Sequence, residues 1–395
     1  MKIFIIHEVS YLDKPVYEYQ DFAERLAARG HDVTVIDFSE HRKSKLCVRY
    51  VSKTGLKKIR LINLPNIGIP LFKYLSAKIS FPFRLQSLIK QYQPDVILLY
   101  SVFINGVGAV KVANRNKIPV VFRALDAYHL LRKNTLESRL LKLSEKYIYR
   151  HVNALSVTNA KMRDYVQHLS GGNNLPAIDV LDHGVDTDHF QTVNVNKALA
   201  AKLGVFEGDF VCVFLGTTYE FTRLDKIVGM IPAILKKLPS FKLLIIGAGE
   251  LDNKISDEAI RLGLIDRVIQ VGMIEYGDLP KYLALAKIAI NPFELNSITR
   301  DIVPIKILQY LASELPVVST PLPDLVLKIP ACSGAIWFSA NDSLAQFVDC
   351  LIDVASAQNL DKAGQLGRKY MELHYSMNAA IQKLEDALVQ PWNTY

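Results

Sequence analysis

Short apolar runs alternate along the first half of the chain with longer segments that carry the periodicity of an amphipathic helix. The apolar runs predict strands at Ile3–His7, Val33–Asp37, Val96–Tyr100, Val120–Ala124, Ala154–Thr158 and Ala177–Leu181. Helices are predicted at Gln20–Arg29, which ends before Gly30, and at Leu136–Arg150. Nearly continuous apolar strands that alternate with helices indicate a parallel sheet covered on both faces.

A polar stretch at 190–196 shows neither an apolar run nor the periodicity of a helix, and the alternation of strands and helices resumes after it. The second set of strands is predicted at Val211–Leu215, Lys242–Ile246, Val268–Val271, Ile288–Asn291, Val317–Ser319 and Ala335–Phe338. The second set of helices is predicted at Leu224–Lys237, Asn253–Leu262, Leu279–Leu285, Val303–Ala312, Leu344–Ala355, Gln358–His374 and Met377–Val389. We therefore predict an α/β protein with two doubly wound, Rossmann-like domains at 1–190 and 197–375, followed by a C-terminal helix within 376–395.

The composition is that of a globular protein, since 50% of the 395 residues are hydrophobic and 22% are charged. Met1-Lys2 runs directly into the first strand without a secretory signal, and no apolar run approaches the ~18 residues that span a bilayer. The four cysteines show no metal-binding spacing, so we expect reduced thiols, a cytoplasmic location and no metal.

The net charge of +8 is concentrated in one segment. Its basic residues are Arg42, Lys43, Lys45, Arg49, Lys53, Lys57, Lys58, Arg60, Lys73, Lys78, Arg84 and Lys90. Aromatic and aliphatic residues are interleaved in its second half. The segment is either a solvated face beside a core helix or a patch that rests on anionic lipid at the inner face of the membrane. Nucleic acid is not an expected partner, because no nucleic-acid-binding motif accompanies the charge.

Two glycine-containing loops follow predicted strands of the second half. Gly216-Thr217-Thr218 follows one strand, and Gly247-Ala248-Gly249 follows the next. Glycine allows a phosphate to approach the backbone, and ligands bind at the carboxyl ends of parallel strands. Ordinary strand-to-helix turns are the alternative. The second loop lacks the third glycine of a dinucleotide fingerprint, so it does not favour NAD.

The strongest local signal lies around Pro304, which suits the first turn of a helix. Exposed amides at a helix start favour phosphate or hydroxyl groups. The candidate donor-site residues here are Ser297, Thr299, Arg300, Asp301, Lys306 and Gln309. A capped helix with a surface lysine is the structural alternative.

The segment from Pro304 to Val318 resembles the phrase P-x-K-x-x-E-Y-L-A-x-G-x-P-V-V of glycosyltransferase family 4. Four further segments resemble family phrases in the same order along the chain, namely Arg29–Val33, Asp182–Phe190, Gly272–Pro280 and Asn291-Pro292. The resemblance implies the GT-B fold, in which two Rossmann-like domains face each other across a cleft and the final helix packs back on the first domain.

The resemblance also implies the reaction. A retaining hexosyltransferase would move sugar from a nucleotide-diphosphate donor to a hydroxyl of a glycan or lipid-linked acceptor, with no metal or other cofactor. The donor would bind the second domain and the acceptor the first. Asp301 takes the position of the family's first glutamate, beside the donor sugar, and Gln309 that of the second, on the ribose hydroxyls. Ile274 lies in the loop near the donor base.

Several positions depart from the family pattern. Thr217 and Thr222 stand where relatives carry an arginine and a lysine on the donor diphosphate, so Arg223, Arg300 or Lys306 would have to replace them. The paired-glycine loop after the first strand is also missing, and Lys14 is a candidate phosphate contact there.

Polar residues that follow strands of the first half are candidates for the acceptor side, and they are Ser101, Asn105, Arg123, Asp126 and His129. Asp126 or His129 would orient or deprotonate the acceptor hydroxyl. Two alternatives stay open: a catalytically weak or inactive GT-B-like binding protein, and a nucleotide-sugar epimerase.

Overall fold

A computed structural model describes residues 1–13, 16, 18–38, 46–65, 70–131, 135–172, 175–297, 299–356 and 359–389. The chain divides into two compact units, Met1–His183 together with Ala379–Tyr395, and Gly184–Asn378. The division therefore falls a few residues before position 190. In the described part of the chain, no helix is both long enough and apolar enough to cross a bilayer.

The first unit is built on a sheet in the order β3-β4-β2-β1-β5-β6-β7-β8. Its strands are β1 (Lys2–Ile6), β2 (Asp32–Phe38), β3 (Cys47–Val51), β4 (Ile59–Leu64), β5 (Val96–Leu99), β6 (Val120–Ala124), β7 (Ala154–Val157) and β8 (Ala177–Val180). Its helices are α1 (Glu18–Ala28), α2 (Pro70–Tyr92), α3 (Gly106–Arg115), α4 (Thr135–His151), α5 (Ala160–Ser170) and, near the end of the chain, α14 (Met377–Val389). All neighbouring strands are parallel except the edge strand β3, which pairs antiparallel with β4.

The second unit is built on a fully parallel sheet in the order β11-β10-β9-β12-β13-β14. Its strands are β9 (Phe210–Leu215), β10 (Phe241–Ile246), β11 (Val268–Gly272), β12 (Ile288–Asn291), β13 (Val317–Ser319) and β14 (Ile336–Phe338). Its helices are α6 (Lys197–Lys202), α7 (Leu224–Leu235), α8 (Asp252–Arg261), α9 (Leu279–Leu283), α10 (Ile305–Ala312), α11 (Pro323–Lys328), α12 (Leu344–Ala355) and α13 (Leu360–His374). The prediction of an α/β fold with two doubly wound sheets is confirmed.

The second sheet has the strand order of a dinucleotide-binding fold, which reverses direction between β9 and β12. Strands β10 and β12 are completely buried, and β9 is buried except at its first residue. Loops that leave neighbouring strands toward opposite faces open a crevice at the carboxyl edge of the sheet. This crevice lies between the loops that follow β9 and β12.

Helix α10 begins just beyond this crevice, and α13 packs against its C-terminal end. A Cβ atom on Gly364 would lie 2.0 Å from the carbonyl oxygen of Glu314, in the turn that ends α10. Arg368 of α13 donates to the carbonyl of Ala312 at 2.8 Å and to that of Thr187 at 3.0 Å. The position of α10 therefore depends on the absence of a side chain at Gly364.

Helix α14 contributes to the first unit through Glu385. Its carboxylate lies 2.7 Å from a guanidinium nitrogen of Arg29 and 2.7 Å from Nε2 of His31. Both partners lie in the turn between α1 and β2.

We predict that Gly364→Ala lowers the melting temperature of the second unit by about 3–10 °C, because overpacking against a backbone carbonyl costs about 1–3 kcal/mol. Differential scanning calorimetry measures the change. Gly277→Ala is the control, since a Cβ atom there would meet nothing within 4 Å. Equal melting temperatures for the two variants would contradict the tight packing of α13 on α10.

Candidate functional site

The loops after β9 and β10 touch through their glycines. Gly216 has a φ of 124° and Gly247 a φ of 128°, in the region that side chains rarely adopt. A Cβ atom on Gly247 would lie 2.2 Å from the carbonyl oxygen of Gly216, and one on Gly249 would lie 2.7 Å from Oγ1 of Thr218. The sequence-predicted glycines are thus required for the two loops to meet.

Asp252, at the start of α8, holds these loops together. Thr218 is fully buried, and its hydroxyl donates to one carboxylate oxygen of Asp252 at 2.5 Å. The amide of Gly249 donates to the other oxygen at 2.9 Å. Thr217 is exposed beside this cradle. Asp252 could not be predicted from the sequence, because its role depends on contacts between two loops.

The Lys306 ammonium lies directly beside Gly216. A Cβ atom on Gly216 would be only 2.9 Å from Lys306 Nζ. The same nitrogen lies 3.8 Å from the centre of the Phe214 ring and 4.7 Å from that of Phe293. No described carboxylate forms an ion pair with it, and desolvation lowers the pKa of Lys306 well below its usual value. The site therefore favours the arrival of an anion.

Tyr310 helps to position Lys306 beside Gly216. Its buried hydroxyl accepts a hydrogen bond of 2.5 Å from the amide of Leu215, the residue before Gly216. Lys306 and Tyr310 are four residues apart on α10, so both project from the same face of the helix. One hydrogen bond thus aligns the helix with the end of β9.

Arg223 does not contribute a free cation, contrary to the sequence-based prediction. Its guanidinium donates to the carbonyls of Pro292 at 2.8 Å, Phe293 at 3.0 Å and Asp342 at 2.6 Å. Only 6% of the residue is exposed. Thr222 is also buried, and its hydroxyl donates to the carbonyl of Tyr219. Arg223 thus joins separate loops of the unit, and Thr222 is used within its own turn, so neither faces a ligand.

The loop before α10 divides into shaping and accessible residues. Buried Thr299 shapes the loop, because its amide donates to Asn296 Oδ1 and its Oγ1 accepts from the Asn296 amide, each at 3.0 Å. Of the other residues predicted for the donor site, Ser297 and Arg300 are exposed, and Asp301, Gln309 and Ile274 are half-buried. Nε of Arg300 lies 3.7 Å from Oδ1 of Asp301.

In the first unit, Arg123 is committed to an internal ion pair. Its fully buried guanidinium donates to both carboxylate oxygens of Glu18 at 2.8 Å, and Glu18 also contacts Nδ1 of His183 at 2.9 Å. Burial alone would raise the Glu18 pKa, but Arg123 and His183 hold it below its usual range. Arg123 therefore organises the carboxyl edge of the sheet. It does not reach an acceptor, contrary to the sequence-based prediction.

Ser101 and Asn105 lie between β5 and α3, and both are fully buried, so neither faces an acceptor, although the sequence predicts it. Ser101 donates to Glu8 Oε2 at 3.0 Å, and the amide of Ile104 donates to the same oxygen at 2.8 Å. Asn105 is fully buried, and its side-chain nitrogen and oxygen have no hydrogen-bond partner among the described groups. Lys14 lies outside the described residues.

His129 has the surroundings of a proton acceptor. Its Nδ1 lies 2.7 Å from Oε2 of the fully buried Glu145, and the Tyr165 hydroxyl lies 3.0 Å from the same carboxylate oxygen. A carboxylate only accepts, so Glu145 favours the tautomer with the proton on Nδ1, which leaves the lone pair on Nε2. The Tyr165 hydroxyl also lies 2.7 Å from Nδ1. Asp126 is accessible three residues earlier in the same loop. Glu145 was missed in the sequence because it is sixteen residues away from His129.

No group of three or more His, Cys, Asp or Glu side chains in the described ranges is arranged to hold a metal ion.

Residues 19–189 match the family model described as Glycosyltransferase Family 4, and residues 209–356 match the model described as Glycosyl transferases group 1. The chain is 23% identical over 305 residues to the alpha-monoglucosyldiacylglycerol synthase of Streptococcus pneumoniae, over 74% of this chain and 67% of that protein.

Two solved structures are similar over nearly the full length. Sucrose-phosphate synthase from Thermosynechococcus elongatus has a TM-score of 0.75 at 14% identity, covering 100% of both chains. Anabaena HepE in complex with UDP and glucose has a TM-score of 0.72 at 14% identity, covering 98% of this chain and 99% of that one. The two family matches, which together span most of the chain, show that it is a glycosyltransferase of family 4, and the similar solved structures show that its fold is GT-B.

Proposed function

We propose that this glycosyltransferase transfers a hexose from a nucleoside-diphosphate sugar to a hydroxyl of a glycan or lipid-linked acceptor, with retention and without a metal. The observation that carries the proposal is the Lys306 ammonium beside Gly216, with no described carboxylate paired to it. A diphosphate is the anion that a nucleotide-sugar donor brings to such a place.

The diphosphate would bind where the backbone is most open. At Gly216 no side chain separates the chain from Lys306 Nζ, and the adjacent Thr217 is exposed. As the sugar leaves, negative charge grows on the diphosphate, and a cation positioned beforehand stabilises it. Because Arg223 is used within the unit, we assign this role to Lys306, with Arg300 as the exposed cation nearest to it along the chain.

The remaining donor contacts follow from positions within the family. We propose that Asp301 contacts the donor sugar and that Gln309 binds the ribose hydroxyls, which an amide can do by both accepting and donating. Ile274, after β11, would lie along the base. The Anabaena relative is described with UDP and glucose, which makes UDP and UDP-glucose the first ligands to test.

On the acceptor side, we propose that His129 Nε2 accepts the hydrogen bond of the acceptor hydroxyl and takes its proton. Glu145 is a positioning residue, since it fixes the imidazole ring through Nδ1. Asp126, which is exposed, would contact another hydroxyl of the acceptor. The name of the Streptococcus relative, a synthase of a glucosylated diacylglycerol, supports a lipid as one acceptor class.

We predict that Lys306→Met weakens the binding of UDP by roughly 10- to 100-fold, because charge-assisted hydrogen bonds to the diphosphate are lost. Isothermal titration calorimetry measures the affinity. The melting temperature should stay equal or rise, since methionine keeps the contact with the two phenylalanine rings and needs no hydration.

The matched control is Lys287→Met, which removes an exposed lysine just before β12, at the opposite edge of the same sheet. Unchanged UDP affinity in Lys306→Met would contradict the assignment. If the wild-type protein binds UDP-glucose but glycosylates no acceptor in a panel of glycans and lipids, it is a binding protein. If it converts the donor without an acceptor, it is an epimerase.

A second prediction concerns the acceptor side. His129→Asn should lower the rate of sugar transfer by about 100-fold or more, the usual contribution of a positioned proton acceptor. UDP affinity should not change, because the substitution lies in the other unit. Transfer of radiolabelled glucose to the acceptor used by the wild-type enzyme gives the rate.

Glu145→Gln tests the positioning role, since an amide keeps the shape of the side chain but provides a donor as well as an acceptor. It should lower kcat and change the KM for the acceptor much less. An unchanged melting temperature would show that the loss is not due to unfolding. Full activity in His129→Asn would exclude His129 as the proton acceptor.

A further inference from the structure

Much of the basic segment singled out in the sequence is used within the first unit. Arg49 donates to Asn63 at 2.6 Å, Lys53 to the carbonyl of Leu12 at 2.9 Å, and Arg60 to Asp32 at 3.0 Å. Arg42, Lys43 and Lys45 lie outside the described residues. Ile79 and Phe83 of α2 are exposed, but a longer row of exposed apolar side chains lies on α4.

The first half of α4 carries a stripe of exposed leucines. Leu136, Leu140 and Leu143 are 66%, 52% and 65% exposed. Their spacing of four and three residues places them on one side of the helix. The opposite side carries buried Leu141, Ile148 and Tyr149. The core therefore does not use these leucines, although such aligned side chains are costly to leave in water.

The charges around this leucine stripe are mostly positive. Arg139, Lys142 and Lys146 lie on the same helix, and none of them forms an ion pair with a described carboxylate. Of the two glutamates in α4, Glu145 is buried against His129, so only Glu137 lies near the stripe. The surface combines apolar side chains with excess positive charge.

The leucine stripe lies at the functional end of the unit. Ser138 Oγ, in the first turn of α4, donates to the carbonyl of His129 at 2.8 Å. The second half of α4 instead packs on α3, where Lys111 Nζ lies 5.4 Å from the centre of the Tyr147 ring. The first half of α4 thus neighbours the proposed proton acceptor, His129, and is not covered by α3.

We propose that this face of α4 docks on an anionic lipid bilayer, with Leu136, Leu140 and Leu143 entering the interface and Arg139, Lys142 and Lys146 contacting anionic headgroups. Apolar side chains flanked by cations are the pattern that such an interface binds. A second copy of the chain is disfavoured, because it would bring like charges together. Docking here would place the loop of His129 close to the headgroup region, where a lipid-linked hydroxyl is presented.

The test is sedimentation of the full chain with vesicles of phosphatidylcholine, alone or mixed with phosphatidylglycerol. We expect binding to the mixed vesicles that weakens as salt is added. The double variant Leu140→Ser with Leu143→Ser should reduce the partition coefficient by roughly 10-fold or more, because both anchors are lost. Arg139→Glu with Lys142→Glu should abolish the preference for anionic vesicles.

Matched controls remove equally exposed groups from the second unit. Leu327→Ser with Leu373→Ser replaces leucines that are 76% and 68% exposed, and Lys236→Glu with Lys237→Glu reverses two exposed charges. These variants should bind vesicles like the wild type. All variants should keep the wild-type UDP affinity without vesicles, so a failure of docking is distinguishable from a failure of the proposed donor site.

Three results would overturn the proposal. The first is equal vesicle binding by the α4 variants and their controls, and the second is equal binding of the wild type to both vesicle types. The third is a dimer of the wild type in analytical ultracentrifugation that the leucine variants convert to a monomer, since the stripe would then bind a second copy.

Discussion

The carboxyl edge of the second sheet is organised around one lysine that lacks an ion-pair partner among the described residues. Lys306 Nζ is held against Phe214 and the open backbone of Gly216. Removing an ammonium group from water without a carboxylate partner is unfavourable, and the ring faces offset only part of that cost. The buried hydrogen bond from Leu215 to Tyr310 and the packing of α13 on α10 keep it there. An arriving diphosphate would supply the missing counter-charge.

The positions of most strands followed from the sequence because buried parallel strands appear as short apolar runs. Strands β3 and β4 were missed for different reasons. β3 is an edge strand whose three central residues are exposed, so its sequence lacks an apolar run. β4 is buried, but Arg60 and Asn63 interrupt its pattern. The basic charges around these strands suggested a surface patch, whereas several of them are bonded within the sheet.

In the candidate site, too, only some of the residues could be predicted from the sequence. Gly216, Gly247 and Lys306 could be predicted, because a glycine after a strand and a lysine in the family phrase are local signals. The hydrogen bonds of Arg223 could not be predicted. Its backbone is left-handed, with a φ of 53°, and belongs to a turn that directs the guanidinium onto the carbonyls of Pro292 and Phe293. Asp252 and Glu145 act through contacts between distant segments, for which a single sequence gives no signal.

The central claim is that a diphosphate supplies the counter-charge of Lys306, and the most direct measurement is the proton balance of UDP binding. Titrations at mildly alkaline pH, in two buffers with different ionisation enthalpies, report how many protons are taken up. Because the pKa of Lys306 is lowered in the free protein and a neighbouring anion raises it, binding should take up protons in the wild type but not in Lys306→Met. Identical binding enthalpies in the two buffers for the wild type would contradict the account.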